Sequence, residues 1–376
     1  MDKPIRILIL DSVMDRGGAE TMTMNYYRNI DRTKVQFDFL VHRQYRGAFE
    51  DEIESLGGHI YRICPNYPHN YFKYRKAFRK LLKEHPEYRI IHCNMMEYGL
   101  FAYMEAKHQN IPIIISHAHT SSLKQQYNIK ALILLLYRKL SLKYITHKFA
   151  CGVNAAKWVF GEYNIENVYY MHNAIDANVY RYSPKVEAEV RAEFNIEGKF
   201  VVGHVGRFFK PKNHLFIIET FAKVVQKDPT AVLMLVGGGE LDDMLLNKTR
   251  EQVRSLGLED KVIFTGVRTD VYRLFQVFDV FFLPSLYEGF PVVMVEAQAA
   301  GLKCIISDTV PTECDITGSV EFLSLAEGSD VWAQRILSYK GSYTKSDAYQ
   351  QIVDAKYDIK LNAEKLQDFY ITQYGK

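Results

Sequence analysis

A chain of 376 residues, 48% hydrophobic and 24% charged, is too long for one ordinary core and fits two soluble globular domains. A net charge of +3 and the lack of a recognised motif argue against nucleic acid as a partner. The five cysteines, Cys64, Cys93, Cys151, Cys304 and Cys314, are scattered and form no CxxC pair, which argues against a zinc site. The opening residues carry no signal-peptide pattern, so reduced thiols in a cytoplasmic setting are expected.

Short apolar runs at 5–10, 35–41, 59–63, 89–93, 112–116 and 149–153 alternate with amphipathic segments such as 20–30 and 73–83. After a further run at 168–171, polar turn residues near 173–183 mark the expected domain boundary. The alternation restarts at 200–205, 232–236, 261–264, 280–283 and 304–307, and a helical pattern covers 358–374. Runs apolar on both sides and separated by helices predict parallel strands buried on both faces. Two such series predict two doubly wound α/β domains, in which ligands bind at the loops after the strands.

Several of these loops carry unusual residues. After the first strand come Asp15-Arg16-Gly17-Gly18-Ala19-Glu20, either a plain tight turn or a place where backbone N–H groups approach a phosphate. The second series opens with Gly206-Arg207-Phe208-Phe209-Lys210-Pro211-Lys212-Asn213, either a solvated basic loop or an anion cradle. The most specific segment is Tyr287-Glu288-Gly289-Phe290-Pro291, followed by an apolar helix that contains Glu296. Glu296 lies about 8 Å along that helix from Pro291. A carboxylate on each side of a helix N-terminus can accept hydroxyls from two sugars, while the anion joining them rests on the N-terminus. That arrangement suits ribose–diphosphate–sugar, and Glu296 among apolar neighbours needs a polar partner. His117 and His119, in Ser-His-Ala-His-Thr, follow another apolar run; each is either structural or able to polarise a reacting centre. No P-loop, GxSxG, HExxH or Asp-x-Asp metal pair occurs, and GxGxxG spacing fails at 237–242.

The Glu288-x7-Glu296 pair in its Glu-Gly-Phe-Pro setting resembles the signature of retaining GT-B glycosyltransferases of family 4. Gly17-Gly18-Ala19-Glu20, Gly206-Arg207 with Lys212-Asn213, and His172-Asn173-Ala174-Ile175-Asp176 resemble that family's motifs in the same order, most closely those of bacterial capsule and exopolysaccharide enzymes. The resemblance implies an α/β GT-B fold of two Rossmann-like domains facing across a cleft. Residues 1–176 would form the acceptor-binding domain, 177–357 the nucleotide-sugar domain, and 358–376 a helix packing back on the first. Glu296 would hold the ribose; Glu288, Gly289, Phe290 and Pro291 the donor sugar. Arg207 and Lys212 would neutralise the diphosphate in place of a metal, with no cofactor, and Gly18 would approach a phosphate. Val267 and Arg268 would flank the base. His119 would lie near the anomeric carbon, with His117, Thr120 and Asn173 on the acceptor side. His119, Glu288, Arg207 and Lys212 are thus the expected catalytic residues. The donor would be a nucleotide sugar, with UDP the family-level expectation. The acceptor would be a glycan or a polyprenyl-diphosphate-linked sugar in surface polysaccharide biosynthesis. A non-catalytic sugar-nucleotide-binding partner in a polysaccharide assembly complex is the alternative.

Residues 1–180 carry 24 Lys and Arg against 17 Asp and Glu, and no acidic residue separates Glu105 from Glu162. The segment 123–148 combines an apolar run too short to span a bilayer with basic flanks. It reads either as a core helix with a solvated edge or as a peripheral contact with an anionic membrane surface on the cytoplasmic side.

Overall fold

The computed structural model describes residues 3–119, 129–239 and 243–375. The chain divides into two compact units, Met1–Ala174 with Ile359–Lys376, and Ile175–Asp358. The first holds β1 (Ile5–Asp11), β2 (Val35–Val41), β3 (Ile60–Arg62), β4 (Ile90–Cys93), β5 (Ile113–Ala118), β6 (His147–Ala150) and β7 (Val168–Tyr170). They form one sheet in the order β3-β2-β1-β4-β5-β6-β7, parallel throughout. The second holds β8 (Val201–Val205), β9 (Val232–Val236), β10 (Val262–Gly266), β11 (Val280–Leu283), β12 (Cys304–Ser307) and β13 (Val320–Leu323). Their order is β10-β9-β8-β11-β12-β13, also parallel.

The apolar runs are continuous because helices cover both faces of each sheet. Along β1, Ile7 and Ile9 enter one core while Leu8 and Leu10 enter another. Along β9, Val232, Met234 and Val236 pack on one side and Leu233 and Leu235 on the other. In each sheet the strand order reverses beside the first strand, between β1 and β4 and between β8 and β11. Connections there leave in opposite directions and open a crevice at the strands' carboxyl ends.

Two elements differ from expectation. The run at 149–153 contributes only its first half to β6, because Gly152 stands before a helix, Val153–Phe160. β13 was not anticipated: it is a half-buried edge strand reading Val-Glu-Phe-Leu, too short and mixed to show a pattern.

The last helix, Ile359–Tyr374, belongs to the first unit. Ile359, Ala363, Leu366 and Tyr370, spaced along one helical face, enter the core formed by β1 and β2. The Asp31 N–H donates to Gln367 Oε1 at 2.9 Å, and Arg89 donates to the Tyr374 carbonyl at 2.9 Å.

Of the basic segment, 123–128 lie outside the described residues. From there the helix Ile129–Ser141 is held by Arg138, which donates to Glu97 at 2.9 Å and lies 4.3 Å over the Trp158 ring. Both side chains are buried and pair with each other away from water. The opposite side of the helix exposes Leu132, Ile133, Leu135 and Leu136. No helix among the described residues is long and apolar enough to cross a membrane.

Candidate active site

The second unit carries Arg207, Lys212 and Glu288 on loops that follow β8 and β11, and Val267 and Arg268 after β10. Two loops are clasped together, residues 206–213 after β8 and 284–291 after β11. The Leu286 N–H donates to the Pro211 carbonyl at 2.7 Å, and Asn213 Nδ2 to the Pro284 carbonyl at 3.2 Å. Lys212 Nζ donates to Glu288 Oε1 at 2.6 Å, and Ser285 Oγ to the same oxygen at 2.6 Å. Ser285 is buried, and its carbonyl accepts from Thr309 Oγ1 at 2.7 Å and from Ser307. Both donors converge on one oxygen, so Oε2 of Glu288 has no hydrogen-bond partner among the described residues. Asn213 takes a left-handed conformation (φ 58°), which Asn tolerates better than most residues.

A third loop supports the first. Gly237 has φ 147°, and a Cβ there would overlap the Gly206 carbonyl oxygen, so glycine is required. The Gly206 N–H donates to Val236 and the Phe208 N–H to the Gly238 carbonyl. Arg207 is exposed and has no carboxylate partner among the described residues. Gly289 is exposed, and a Cβ on it would meet nothing within 4 Å. Pro291 stands immediately before the helix Val292–Ala299, and Phe290 stacks on Tyr357 at 5.3 Å. Glu296 lies in that helix; burial raises its carboxyl above the ordinary range, while a hydrogen bond from Tyr180 acts against the rise. Val267 is exposed. The Arg268 guanidinium pairs with Asp270 (2.8 Å) and Glu193 (3.3 Å).

In the first unit the β1/β4 crevice carries a buried polar chain. Asn94, just after β4, donates Nδ2 to Asp11 Oδ2 at 3.2 Å and to Thr23 Oγ1 at 3.1 Å. Its Oδ1 then faces His119 Nε2 at 2.9 Å. With both amide hydrogens used, Asn94 accepts here, so His119 carries its proton on Nε2 and keeps Nδ1 as an acceptor. Burial pushes His119 down to about 3, so the ring is neutral. His117 turns inward and is fully buried, with its Nδ1 3.0 Å from His92 Nε2; His92 Nδ1 lies 2.6 Å from the Tyr370 hydroxyl. The His117 and His119 rings lie tilted to one another at 36°, with centroids 4.0 Å apart. Gly18 opens the helix Gly18–Asn29 and is exposed, with open space where a Cβ would sit. Asn173 is half-buried. Thr120 lies outside the described residues. No cluster of three or more His, Cys, Asp or Glu suited to a metal occurs among the described residues.

Sequence reasoning missed Ser285, Asn94 and Tyr180. Only the apolar surroundings of Glu296 signalled that some partner was needed.

The second half of this architecture matches the family described as Glycosyl transferases group 1 over residues 186–350, and the first half Glycosyltransferase Family 4 over residues 16–179. EpsF of Bacillus subtilis (strain 168), a glycosyltransferase by name, is 35% identical over 372 residues, covering 97% of this chain and 96% of its own. An Escherichia coli UDP-Gal:alpha-D-GlcNAc-diphosphoundecaprenol alpha-1,3-galactosyltransferase is 24% identical, covering 78% of this chain and 77% of its own. Among solved structures, Anabaena HepE in complex with UDP superimposes with a TM-score of 0.80 at 20% identity, covering 98% of this chain and all of that one. The two doubly wound sheets are those of the GT-B fold, and the chain belongs to the family 4, group 1 glycosyltransferases.

Proposed function

We propose that the enzyme transfers a sugar from a UDP-sugar to a glycan or polyprenyl-diphosphate-linked acceptor in bacterial surface polysaccharide synthesis, with retention of anomeric configuration and without a metal. The observation that carries this reading is the clasp at the β8/β11 crevice. It ties the loop that carries Arg207 and Lys212 to the loop that carries Glu288 and leads into the helix Val292–Ala299 with Glu296. Lys212 uses one N–H on Glu288 and has two left for a diphosphate; Arg207 supplies a second cation. The relatives named for UDP-Gal and solved with UDP support the choice of nucleotide, and the diphosphoundecaprenol relative supports the acceptor class.

In this reading the acceptor hydroxyl attacks the anomeric carbon from the face the diphosphate leaves. The new C–O bond forms as the sugar–phosphate bond breaks, and the departing phosphate oxygen takes the acceptor's proton. Arg207, Lys212 and the helix N-terminus stabilise the charge that builds on the diphosphate. Glu288 Oε2 holds a donor-sugar hydroxyl and Glu296 the ribose; in the first unit, neutral His119 keeps Nδ1 open as an acceptor. No side-chain nucleophile is needed.

A thermal-shift series with nucleoside diphosphates tests the donor site. UDP at about 100 times its Kd is expected to stabilise the protein by about 2.7 kcal/mol, whether or not EDTA is present. A shift abolished by EDTA would overturn the metal-free reading, and no shift with any nucleotide the donor assignment.

The exposed face of Leu132, Ile133, Leu135 and Leu136, with exposed Lys139 and Lys143 nearby, supports attachment to an anionic membrane surface. The protein is expected to sediment with phosphatidylglycerol vesicles at low salt and be released by high salt. The double change Leu132→Glu and Leu136→Glu should prevent sedimentation with little effect on melting temperature, because both side chains are already in water. Absence of vesicle binding by the unaltered protein at low salt contradicts the assignment.

A further inference from the structure

Glu296 has one polar partner among the described residues, and it comes from 116 positions away: the Tyr180 hydroxyl donates to Oε1 at 2.8 Å. The carboxylate stands on a helix whose neighbouring members Met294, Val295 and Ala297 are fully buried. Rotation of a carboxylate about its last torsion is only weakly hindered, so its plane is set by whatever donor grips it. The phenol is a stiff gripper. The short helix Ala177–Tyr180 is capped by Asp176, which accepts from the Asn178 N–H. Gln276 Nε2 donates to the Tyr180 carbonyl at 3.1 Å. The ring meets Phe275 and Tyr272 edge-on at 5.8 and 6.4 Å. One acceptor site on the carboxylate is thereby used, and Oε2 is left open.

We propose that Tyr180 is a positioning residue of the donor site: by holding Oε1 it aims the Glu296 carboxylate at the ribose hydroxyls and so sets the preference for ribo- over deoxyribonucleoside diphosphates. The proposal rests on the reading of Glu296 as the ribose ligand. Tyr180 touches no substrate; it acts through Glu296 alone.

Calorimetric titration of UDP and 2′-deoxy-UDP into the wild type, Tyr180→Phe, Glu296→Gln and the double variant tests it. Phenylalanine keeps the ring packing and removes only the hydroxyl. The wild type is expected to bind 2′-deoxy-UDP about tenfold or more weaker than UDP. Tyr180→Phe should weaken UDP about three- to tenfold and leave 2′-deoxy-UDP nearly unchanged, so that the two affinities draw together. In the Glu296→Gln background, where a neutral amide oxygen replaces the charged acceptor, Tyr180→Phe should cost clearly less than in the wild type, because its effect runs through the carboxylate. A wild-type ratio in Tyr180→Phe alongside a collapsed ratio in Glu296→Gln overturns the role of Tyr180 and leaves the ribose reading standing. A full additional loss in the double variant likewise overturns it. A wild-type ratio in Glu296→Gln removes the ribose reading and the proposal with it.

Discussion

Replacing Glu288 by alanine is expected to lower turnover by about 10²–10³-fold while leaving UDP affinity within about threefold of the wild type. The asymmetry follows from the clasp. Ser285 and Lys212 both hold Oε1, which fixes the carboxylate and aims Oε2 away from its protein partners. A group so oriented before substrate arrives costs no reorganisation when charge develops on the sugar, and its removal is felt mainly in the transition state. Lys212, released from Glu288, stays available to the diphosphate, so binding of the nucleotide alone suffers little. Glu288→Gln should fall between, since an amide oxygen can still accept from Ser285 but no longer offers a negative charge to Lys212. Single-turnover transfer rates measured beside calorimetric UDP affinities separate the two effects. A parallel loss of UDP affinity and turnover in Glu288→Ala would show that Glu288 serves ground-state binding instead.

The second large effect is acid lability. Burial pushes His42 down to about 4 and His92, His119 and His214 to about 3, and lowers His117 and His204 as well. Unfolding returns each imidazole to about 6.5. Between those values the unfolded chain binds a proton that the folded one does not, so stability rises with pH through this window and is lost as pH falls below about 6.5. Each site contributes about 1.4 kcal/mol per pH unit there, or about 2 kcal/mol by about pH 5. Asp11, Glu20 and Glu296 act in the opposite sense, because burial raises their carboxyls and the folded state takes up their protons first. Asp38 stays out of this window: burial opposes ionisation, but Arg6, Tyr88 and the His59 N–H outweigh it, so its contribution fades only below about pH 4. Six imidazoles against three carboxyls leave a net loss on acidification. Urea midpoints at about pH 7, 6 and 5 should fall steeply, and His92→Gln, which keeps hydrogen-bonding groups without a titrating one, should flatten the slope. Midpoints that do not move between about pH 7 and 5 contradict this account.

How far these features were legible depends on whether their causes are local. β2, β9, β11 and β12 occupy the apolar runs to the residue, because a strand covered by helices on both faces is mostly apolar; in β2 the buried exceptions, Gln36 and Asp38, are hydrogen-bonded. β13 escaped because an edge strand is under no such rule, and β6 because Cys151 and Val153 look like strand but flank a helix-starting glycine. Within the site, the spacing of Glu288 and Glu296 about one helix start is a local pattern and could be read. Their partners could not. Lys212 is expected at a diphosphate, and nothing local signals that it also donates to Glu288. Tyr180 and Asn94 look like ordinary residues near a turn, and only the folded chain brings them to Glu296 and His119. The apolar neighbours of Glu296 predicted that a partner exists; they carried no information on which residue it is.

The return of Ile359–Tyr374 to the first unit makes the two halves of the molecule unequal as pieces of covalent chain. The second unit is one uninterrupted segment and can be cut out or expressed with two ends. The first is stitched from two segments separated by the whole of the second, and during synthesis its core waits for residues 359–374 to leave the ribosome. A premature stop that removes only the last helix therefore strips Tyr370 from His92 and opens the core beside β1 and β2, while every residue assigned to nucleotide binding in the second unit is retained. Damage at residues 359–374 is read out in strands more than 300 positions earlier.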